Sequence, residues 1–372
     1  MRILFSLLLS AMLLASCSDN NNQTNTTSGT KPAAPRNVIL LIGDGMGSNQ
    51  VYAAMTVSTA PLAMAQMPYT AFVKTFSANR YITDSAAGGT AIACGQKTNN
   101  GMLGLNADTT ILTSLLEHYQ EHGYATGLVV TSPITHATPA AFYAKVASRN
   151  EYETIARQLV DADIDFFCGG GRRNFENRSD SVFLTDSLTE RGYNIYYSID
   201  SVESPTLLPC GILAADIDLP DARERGDYLP RATTLAIQSL HARAAGHGFF
   251  LMVEGSQIDY RCHGNDAEGA MTETLDFDQA VAAALKFAKE DGNTLVVVTA
   301  DHETGGLTVI DGSHEAHTVD ITFGNAGQAG TSSGHTGVMV PLFAYGPGAE
   351  LFHGVIDNTL ISSIIKSYDT NK

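Results

Sequence analysis

Asp259 and His263 stand four residues apart, with Glu254 five residues upstream of Asp259. Further along, a second acid and histidine are adjacent in Asp301-His302, and near the start Asp44 lies between glycines in Gly43-Asp44-Gly45. Carboxylates and imidazoles in such groups hold divalent cations. Mixed Asp and His donors suit zinc, whereas acids joined by hydroxyls and water suit magnesium. Any one of these acids alone reads as the cap of a following helix. A convergence of acids without bases to neutralise them calls for cations.

The candidate nucleophile is Ser85, in Thr83-Asp84-Ser85-Ala86-Ala87-Gly88-Gly89. The small residues around it can start a helix and let a substrate approach closely. A helix N-terminus offers unpaired N–H groups and positive potential, which suits a phosphate or a serine oxyanion. A plain cap at Asp84 or Ser85 is the simpler alternative. The segment is not a hydrolase nucleophile elbow, because G-x-S-x-G needs glycines where Thr83 and Ala87 stand. Gly95-Gln96-Lys97-Thr98 fails the P-loop spacing, and Gly169-Gly170-Gly171 reads as a turning loop. His118 and His122 suit a helix C-terminus, and His314 and His317 fall in a polar loop.

Short apolar runs must position these groups. Val38 to Ile42 reads as a buried strand leading to Asp44, Phe249 to Val253 leads to Glu254, and Thr294 to Thr299 leads to Asp301. Between such runs lie helical stretches. Thr109 to His122 carries an apolar stripe with Gly123 as its stop and a strand from Tyr124 to Val130 after it. Glu151 to Val160 precedes a strand at Ile164 to Phe167, and Thr272 to Lys289 ends at Gly292. Alternation of this kind predicts an α/β fold, a mostly parallel central sheet with helices on both faces. In such a sheet the ligand crevice lies beyond the carboxyl ends of the strands, so Asp44, Glu254, Asp301 and His302 should converge there. Residues from about 172 to 230 read as a less regular excursion.

The composition narrows the class. Of 372 residues 44% are apolar and only 16% charged, which excludes a disordered tail or a charged coiled coil. A net charge of −17 has the wrong sign for general attraction to nucleic acid, so no nucleic-acid partner is expected and any anionic ligand needs a local positive site. Met1-Arg2 followed by an apolar run from Ile3 to Ala15 matches an export signal, and Leu14-Ala15-Ser16-Cys17 resembles a bacterial lipobox. The expected layout is a signal peptide at 1–16, a polar tether at 17–36 and a folded domain at 37–372. The protein would be exported to the periplasm or cell surface, held to a membrane by lipid on Cys17. Cleavage near Ala15 and Ser16 without lipid is the alternative. Cys94, Cys168, Cys210 and Cys262 form no CxxC pair and are expected as free buried thiols or one bridge at most.

Six segments, in order, resemble alkaline phosphatases: Asn37 to Gly47, Thr83 to Ala87, Ala137-Thr138-Pro139-Ala140, Glu254 to Asp259, Thr299 to His302, and Gly334-His335-Thr336-Gly337. The resemblance spans nearly all of the chain beyond the leader. It implies an alkaline-phosphatase-like fold that hydrolyses phosphate monoesters through a phosphoserine on Ser85. It also implies two zinc ions and one magnesium-type ion. Asp259, His263 and His335 would hold the first zinc, and Asp44, Asp301 and His302 the second beside Ser85. Asp44, Thr138 and Glu254 would hold the third ion. Arg149 matches the phosphate-clamping arginine, whose fork binds two oxygens at once.

Two positions depart from the best-studied bacterial pattern. His136 replaces an acid, as in animal members, and Tyr260 replaces a lysine. The resemblance therefore leaves the third metal's identity open, with His136 expected to contact that site or its waters. Dimers are frequent in the family, so a homodimer is an expectation. The stretch from Thr304 to Gly334 is shorter than the matching insertion of animal members. A phosphodiesterase or sulfatase on the same metal scaffold, or a phosphate-binding lipoprotein without turnover, are the alternatives.

Overall fold

The apolar run Asn37–Gly43 becomes a strand, β1, buried along its whole length on both faces. A strand with no exposed face belongs inside a sheet that is covered on both sides. The computed structural model describes residues 34–244, 246–324 and 334–368. The expected signal peptide, Cys17 and most of the tether lie outside these residues.

The remaining strands of the central sheet are β2 (Tyr69–Lys74), β3 (Ala125–Pro133), β4 (Phe166–Gly170), β5 (Asn194–Tyr196), β6 (Cys210–Leu213), β7 (Phe249–Gly255) and β8 (Thr294–Thr299). After β8 come a short strand β9 (Glu303–Thr304), a hairpin of β10 (Leu307–Ser313) and β11 (Thr318–Phe323), and β12 (His335–Thr336), all outside the sheet. Two further sheet strands, β13 (Val340–Tyr345) and β14 (Gly354–Asp357), complete it. The order is β14-β2-β13-β8-β1-β7-β3-β4-β6-β5. Strand β13 pairs antiparallel with both β2 and β8, and the other pairings are parallel.

The helices are α1 (Ser48–Val57), α2 (Ser85–Cys94), α3 (Leu115–Glu121), α4 (Ala137–Ala140), α5 (Tyr152–Asp161), α6 (Arg173–Glu176) and α7 (Leu184–Glu190). They continue with α8 (Ala222–Arg225), α9 (Tyr228–Arg243), α10 (Gln257–His263), α11 (Ala267–Asp291) and α12 (Thr359–Ser367). Helices α9 and α11 pack on one another and on β7. Helices α2, α3 and α12 form a second packed group that reaches β3 and β7 through α3. This is the mostly parallel α/β architecture that the alternating pattern predicts.

Four adjacent strands, β3-β7-β1-β8, are the ones that matter most for the site. Their register sets Ile42 level with Glu254 on one side and with Thr299 on the other, and sets Val130 level with Glu254. The strands therefore end together, and the residues that follow them emerge at one edge.

The structure corrects several local expectations. The helix expected from Thr109 starts only at Leu115, because Ser114 and Glu117 form a capping box that fixes its first turn. Before it, Thr109 takes a positive φ of 72° and Ile111 is exposed. The helix expected from Thr272 starts earlier, at Ala267, where the Asp266 side chain accepts from the Gly269 N–H. Gly169 and Gly170 are strand residues, not a loop. A Cβ on Gly170 would lie 2.0 Å from the Ile217 carbonyl oxygen, so the close crossing of that segment requires glycine there. The supposed excursion at 172–230 in fact supplies two sheet strands, β5 and β6, whose brevity hides them from a periodicity argument. The four cysteines of the described residues are free and buried.

Candidate active site

Each strand of the central four delivers its own candidate ligands. Asp44 follows β1, Glu254 closes β7, Asp301 and His302 follow β8, and the turn after β3 leads to His136 and Thr138 at α4. Helix α10, one residue beyond β7, carries Asp259 and His263 one turn apart, on neighbouring positions of one face. Strand β12 brings in His335. The structure thus brings together every residue expected at the site from the sequence.

Three groups of potential ligand atoms lie within 4.8 Å of one another: Asp259 with His302 and His335, Asp44 with Asp301 and His302, and Asp44 with His136 and Glu254. His263 adjoins the first group, with its Nε2 3.2 Å from Asp259 Oδ2 and 3.2 Å from His335 Nε2. Thr138 adjoins the third, donating to Asp44 Oδ2 at 3.4 Å. Among the described residues none of these groups includes His118, His122, His314 or His317.

Proton placement shows what the cluster requires. His335 Nδ1 lies 2.9 Å from the Thr83 carbonyl oxygen, which can only accept, so Nδ1 carries the proton and Nε2 presents a lone pair. The single hydroxyl proton of Thr304 goes to Asp259 Oδ1, so its oxygen accepts from His302 Nδ1 at 3.2 Å. His302 Nε2 is then also a lone pair, and it faces Asp301 Oδ2 at 3.3 Å, Asp44 Oδ1 at 3.5 Å and Ser85 Oγ at 3.2 Å. Asp44 Oδ1, Glu254 Oε1 and Asp301 Oδ2 are buried with no hydrogen-bond partner. Lone pairs aimed at one another from several sides are a cation site, and the donor set fits divalent metals.

The electrostatics agree. Burial, then the charges of Asp301, Asp259 and Glu254, push Asp44 well above the usual carboxylate range. Burial also raises Glu254 and Asp301. Burial works upward on Asp259 too, but its hydrogen bond with His263 and the neighbouring imidazoles win and hold it below the usual range. Burial keeps His302 neutral at ordinary pH, as an imidazole ligand must be.

Comparison with known proteins decides the family. The alkaline phosphatase family model matches residues 35–203 and 213–328. Alkaline phosphatase 4 of Bacillus subtilis is 34% identical over 92% of this chain and 91% of its own length. The solved alkaline phosphatase from the Antarctic bacterium TAB5 is 38% identical with a TM-score of 0.84, over 91% of this chain and 99% of that one. A variant of the Antarctic enzyme, with aspartate replacing one histidine, was solved with Mg bound in its M3 site. The chain belongs to the alkaline phosphatase family. It is a metal-dependent hydrolase of phosphate monoesters.

Within an alkaline phosphatase site, the placement of Ser85 and Arg149 becomes legible. Ser85 is the first residue of α2 and is buried, with its hydroxyl against His302. Arg149 enters from the segment after α4. Its Nη1 donates to Asp84 Oδ2 at 3.3 Å, and its Nη2 lies 3.0 Å from His136 Nε2. Arginine can only donate, so His136 Nε2 accepts. His136 is neutral, its pKa lowered to about 3 by burial and by the Arg149 charge, and its one lone pair is thus engaged. Tyr260 turns its ring edge toward His136 and donates its hydroxyl to Asp218 Oδ1 at 3.1 Å.

Sequence reasoning missed two side chains. Asp84 is more than the expected cap. Its Oδ1 accepts from Ala87 N–H at 3.0 Å, while Oδ2 accepts from Gly101 N–H at 3.0 Å and from Arg149. Thr304, two residues after His302, orients both His302 and Asp259. The signal for Asp84 is its position beside Ser85. No local signal marks Thr304, because its partner Asp259 is 45 residues away.

Asp84→Asn preserves a good helix cap but removes the charge paired with Arg149. Because both oxygens accept backbone N–H groups, the amide NH2 must face one of them, so the expected outcome is a loss of about 1–3 kcal/mol in urea unfolding, together with a several-fold change in KM and in inhibition by inorganic phosphate.

Proposed function

We propose that this alkaline phosphatase works through a phosphoserine on Ser85, with Arg149 as the phosphate clamp. The observation that carries the reading is Ser85 Oγ at 3.2 Å from His302 Nε2, at the N-terminus of α2 and beside the buried Asp44 and Asp301. Asp259, His263 and His335 would hold one zinc, Asp44, Asp301 and His302 a second, and Asp44, Thr138 and Glu254 a magnesium-type ion. Such ions, when bound, supply Lewis acidity that lowers the pKa of an oxygen nucleophile and balances charge on the phosphoryl group.

The chain's own residues then have defined tasks. Arg149 offers two parallel N–H groups to two non-bridging oxygens of the monoester, fixing phosphorus in line with Ser85 Oγ. Ser85 loses its proton and attacks. An O–P bond forms on serine as the ester O–P bond breaks, and the alcohol leaves from the opposite face. The N-terminus of α2 adds positive potential beneath the serine oxygen. Water next attacks the phosphoserine from the side the alcohol left. Inorganic phosphate departs, Ser85 regains its hydroxyl, and two inversions give net retention at phosphorus.

His136 borders the third group while its lone pair serves Arg149. We read it as a residue that positions the clamp and weakens the preference for magnesium, since it replaces a carboxylate with a neutral group. The Mg-bound aspartate variant of the Antarctic relative supports this reading. We further propose export and lipid attachment at Cys17, with residues 37–372 as the catalytic domain and a homodimer as the assembly that the family resemblance implies. Intact-mass analysis of the mature protein and light scattering read these last points.

Ser85→Ala is expected to lose about 10³-fold or more in kcat on p-nitrophenyl phosphate while mass spectrometry still finds the metals bound. Full turnover in that variant would mean that water attacks directly. The wild-type enzyme is expected to favour this monoester over the bis ester and the sulfate, and to lose activity on chelation. His136→Asp is expected to tighten magnesium binding by about tenfold or more, read by calorimetry. An unchanged magnesium affinity would remove His136 from the third site.

A further inference from the structure

His335 is held unlike the other ligands. They stand at the ends of buried sheet strands or on a helix, whereas His335 lies on the two-residue strand β12, paired with β9 alone. The ladder sets His335 against Thr304 and Thr336 against Glu303. Two residues cannot fix an imidazole by backbone pairing alone. Side-chain contacts must supply the rest.

The Thr83 carbonyl holds the ring at Nδ1 at 2.9 Å, and a second anchor comes through the neighbouring Thr336 from Glu303. Glu303 is 3% exposed, and no lysine or arginine among the described residues pairs with it. A buried carboxylate is costly unless hydrogen bonds compensate for the water it lost. Here four donors do so. Oε1 accepts from Gln50 Nε2 at 2.9 Å and from Leu307 N–H at 3.1 Å. Oε2 accepts from Gly306 N–H at 3.2 Å and from the Thr336 hydroxyl. Gln50 belongs to α1 and also donates to the Thr304 carbonyl at 2.9 Å. The carboxylate therefore ties α1, the base of the β10–β11 hairpin and the strand bearing His335 into one unit. Neither its burial nor its four partners are required for the chemistry of Asp301-His302 beside it.

We infer that Glu303 is a positioning residue for His335, acting through the Thr336 hydroxyl, and that it sets the affinity of the metal set Asp259, His263 and His335. The inference rests on the reading of His335 as a ligand. Glutamine at this position keeps the shape but turns an NH2 group toward donors, so at least one of the four contacts is lost. Valine at 336 removes one hydroxyl and leaves Glu303 its other three donors.

The test measures zinc affinity of the full-length mature protein by competition with a chromophoric chelator, for wild type, Glu303→Gln, Thr336→Val and His335→Ala. Both outer variants are expected to weaken one zinc equivalent by about 10- to 100-fold while the other stays as in wild type, and added zinc should restore kcat. Wild-type zinc affinity in Thr336→Val, even with a lowered melting temperature, assigns the contact to folding and overturns the inference. A loss shared equally by both zinc equivalents overturns it as well. Should Glu303→Gln not fold, Thr336→Val decides alone. His335→Ala separates the two levels of argument: wild-type zinc binding there removes His335 as a ligand, whereas loss of one ion there with none lost in the outer variants removes only Glu303.

Discussion

Four carboxylates, Asp44, Glu254, Asp259 and Asp301, are buried within one small region, and the cost of burying their charges, increased by mutual repulsion, is the constraint around which the rest of the site is organised. Burial without compensation would drive them to hold protons, and protonated acids are poor ligands. Divalent cations resolve the conflict, because the same proximity that disfavours four negative charges favours their binding to cations. The fold must therefore keep the acids close while the protein is still without metal. An apolar sheet achieves this. Strands β1, β7 and β8 are buried over nearly every residue, so the hydrophobic core, which contributes to stability roughly in proportion to area, carries the opposing electrostatic cost. Placing Asp44, Glu254 and Asp301 at or just beyond the ends of those strands, and Asp259 on the helix that follows β7, confines the conflict to the sheet's edge.

Asp84 connects two parts of the chemistry that are far apart in sequence. One of its oxygens fixes the first turn of α2, which carries Ser85, and the other fixes Arg149. Ser85 and Arg149 are thus referenced to a single carboxylate. The pairing also limits Arg149. An arginine held by an acid and by His136 is oriented before substrate arrives, but it must share its charge between Asp84 and the incoming phosphate. Tighter orientation and weaker net attraction for product come from the same contact, which suits an enzyme that must release inorganic phosphate.

The fold class and the cluster of candidate metal ligands were legible because each rests on a local pattern. Apolar runs mark β1, β7 and β8, the acids stand at their ends, and Asp259 and His263 carry helical spacing. What was not legible depends on distant partners. Strands β5 and β6 are three and four residues long and acquire their place only by pairing, β6 with β4 and β5 with β6. The true start of α3 depends on reciprocal Ser114 and Glu117 bonds, which compete with an apolar stripe that continues upstream as far as Ile111. Gly170 reads as a loop residue until the Ile217 carbonyl is seen against it. Thr304 and Glu303 look like ordinary residues after a metal-binding dipeptide, since nothing nearby in sequence shows that they face Asp259 and Thr336.

The outer residues matter because a neutral imidazole has one lone pair and two nitrogens. A ligand histidine free to exchange tautomers would present an N–H to the metal part of the time, and ring rotation would misdirect the lone pair for more. Here the carbonyl of Thr83 holds the proton of His335 on Nδ1, and the hydroxyl of Thr304 does the same for His302. Thr304 can accept from His302 only because its own proton is committed to Asp259, so the ionised state of that acid determines the tautomer of the imidazole. The three side chains form one directed sequence of hydrogen bonds: His302 to Thr304 to Asp259. Reversing it would place a proton on Asp259 and a hydrogen on His302 Nε2, removing candidate ligand atoms from two of the clustered groups at once. Fixing that direction therefore gives Asp259 and His302 a single arrangement in which the carboxylate stays ionised and the inward-facing Nε2 of the imidazole is a lone pair.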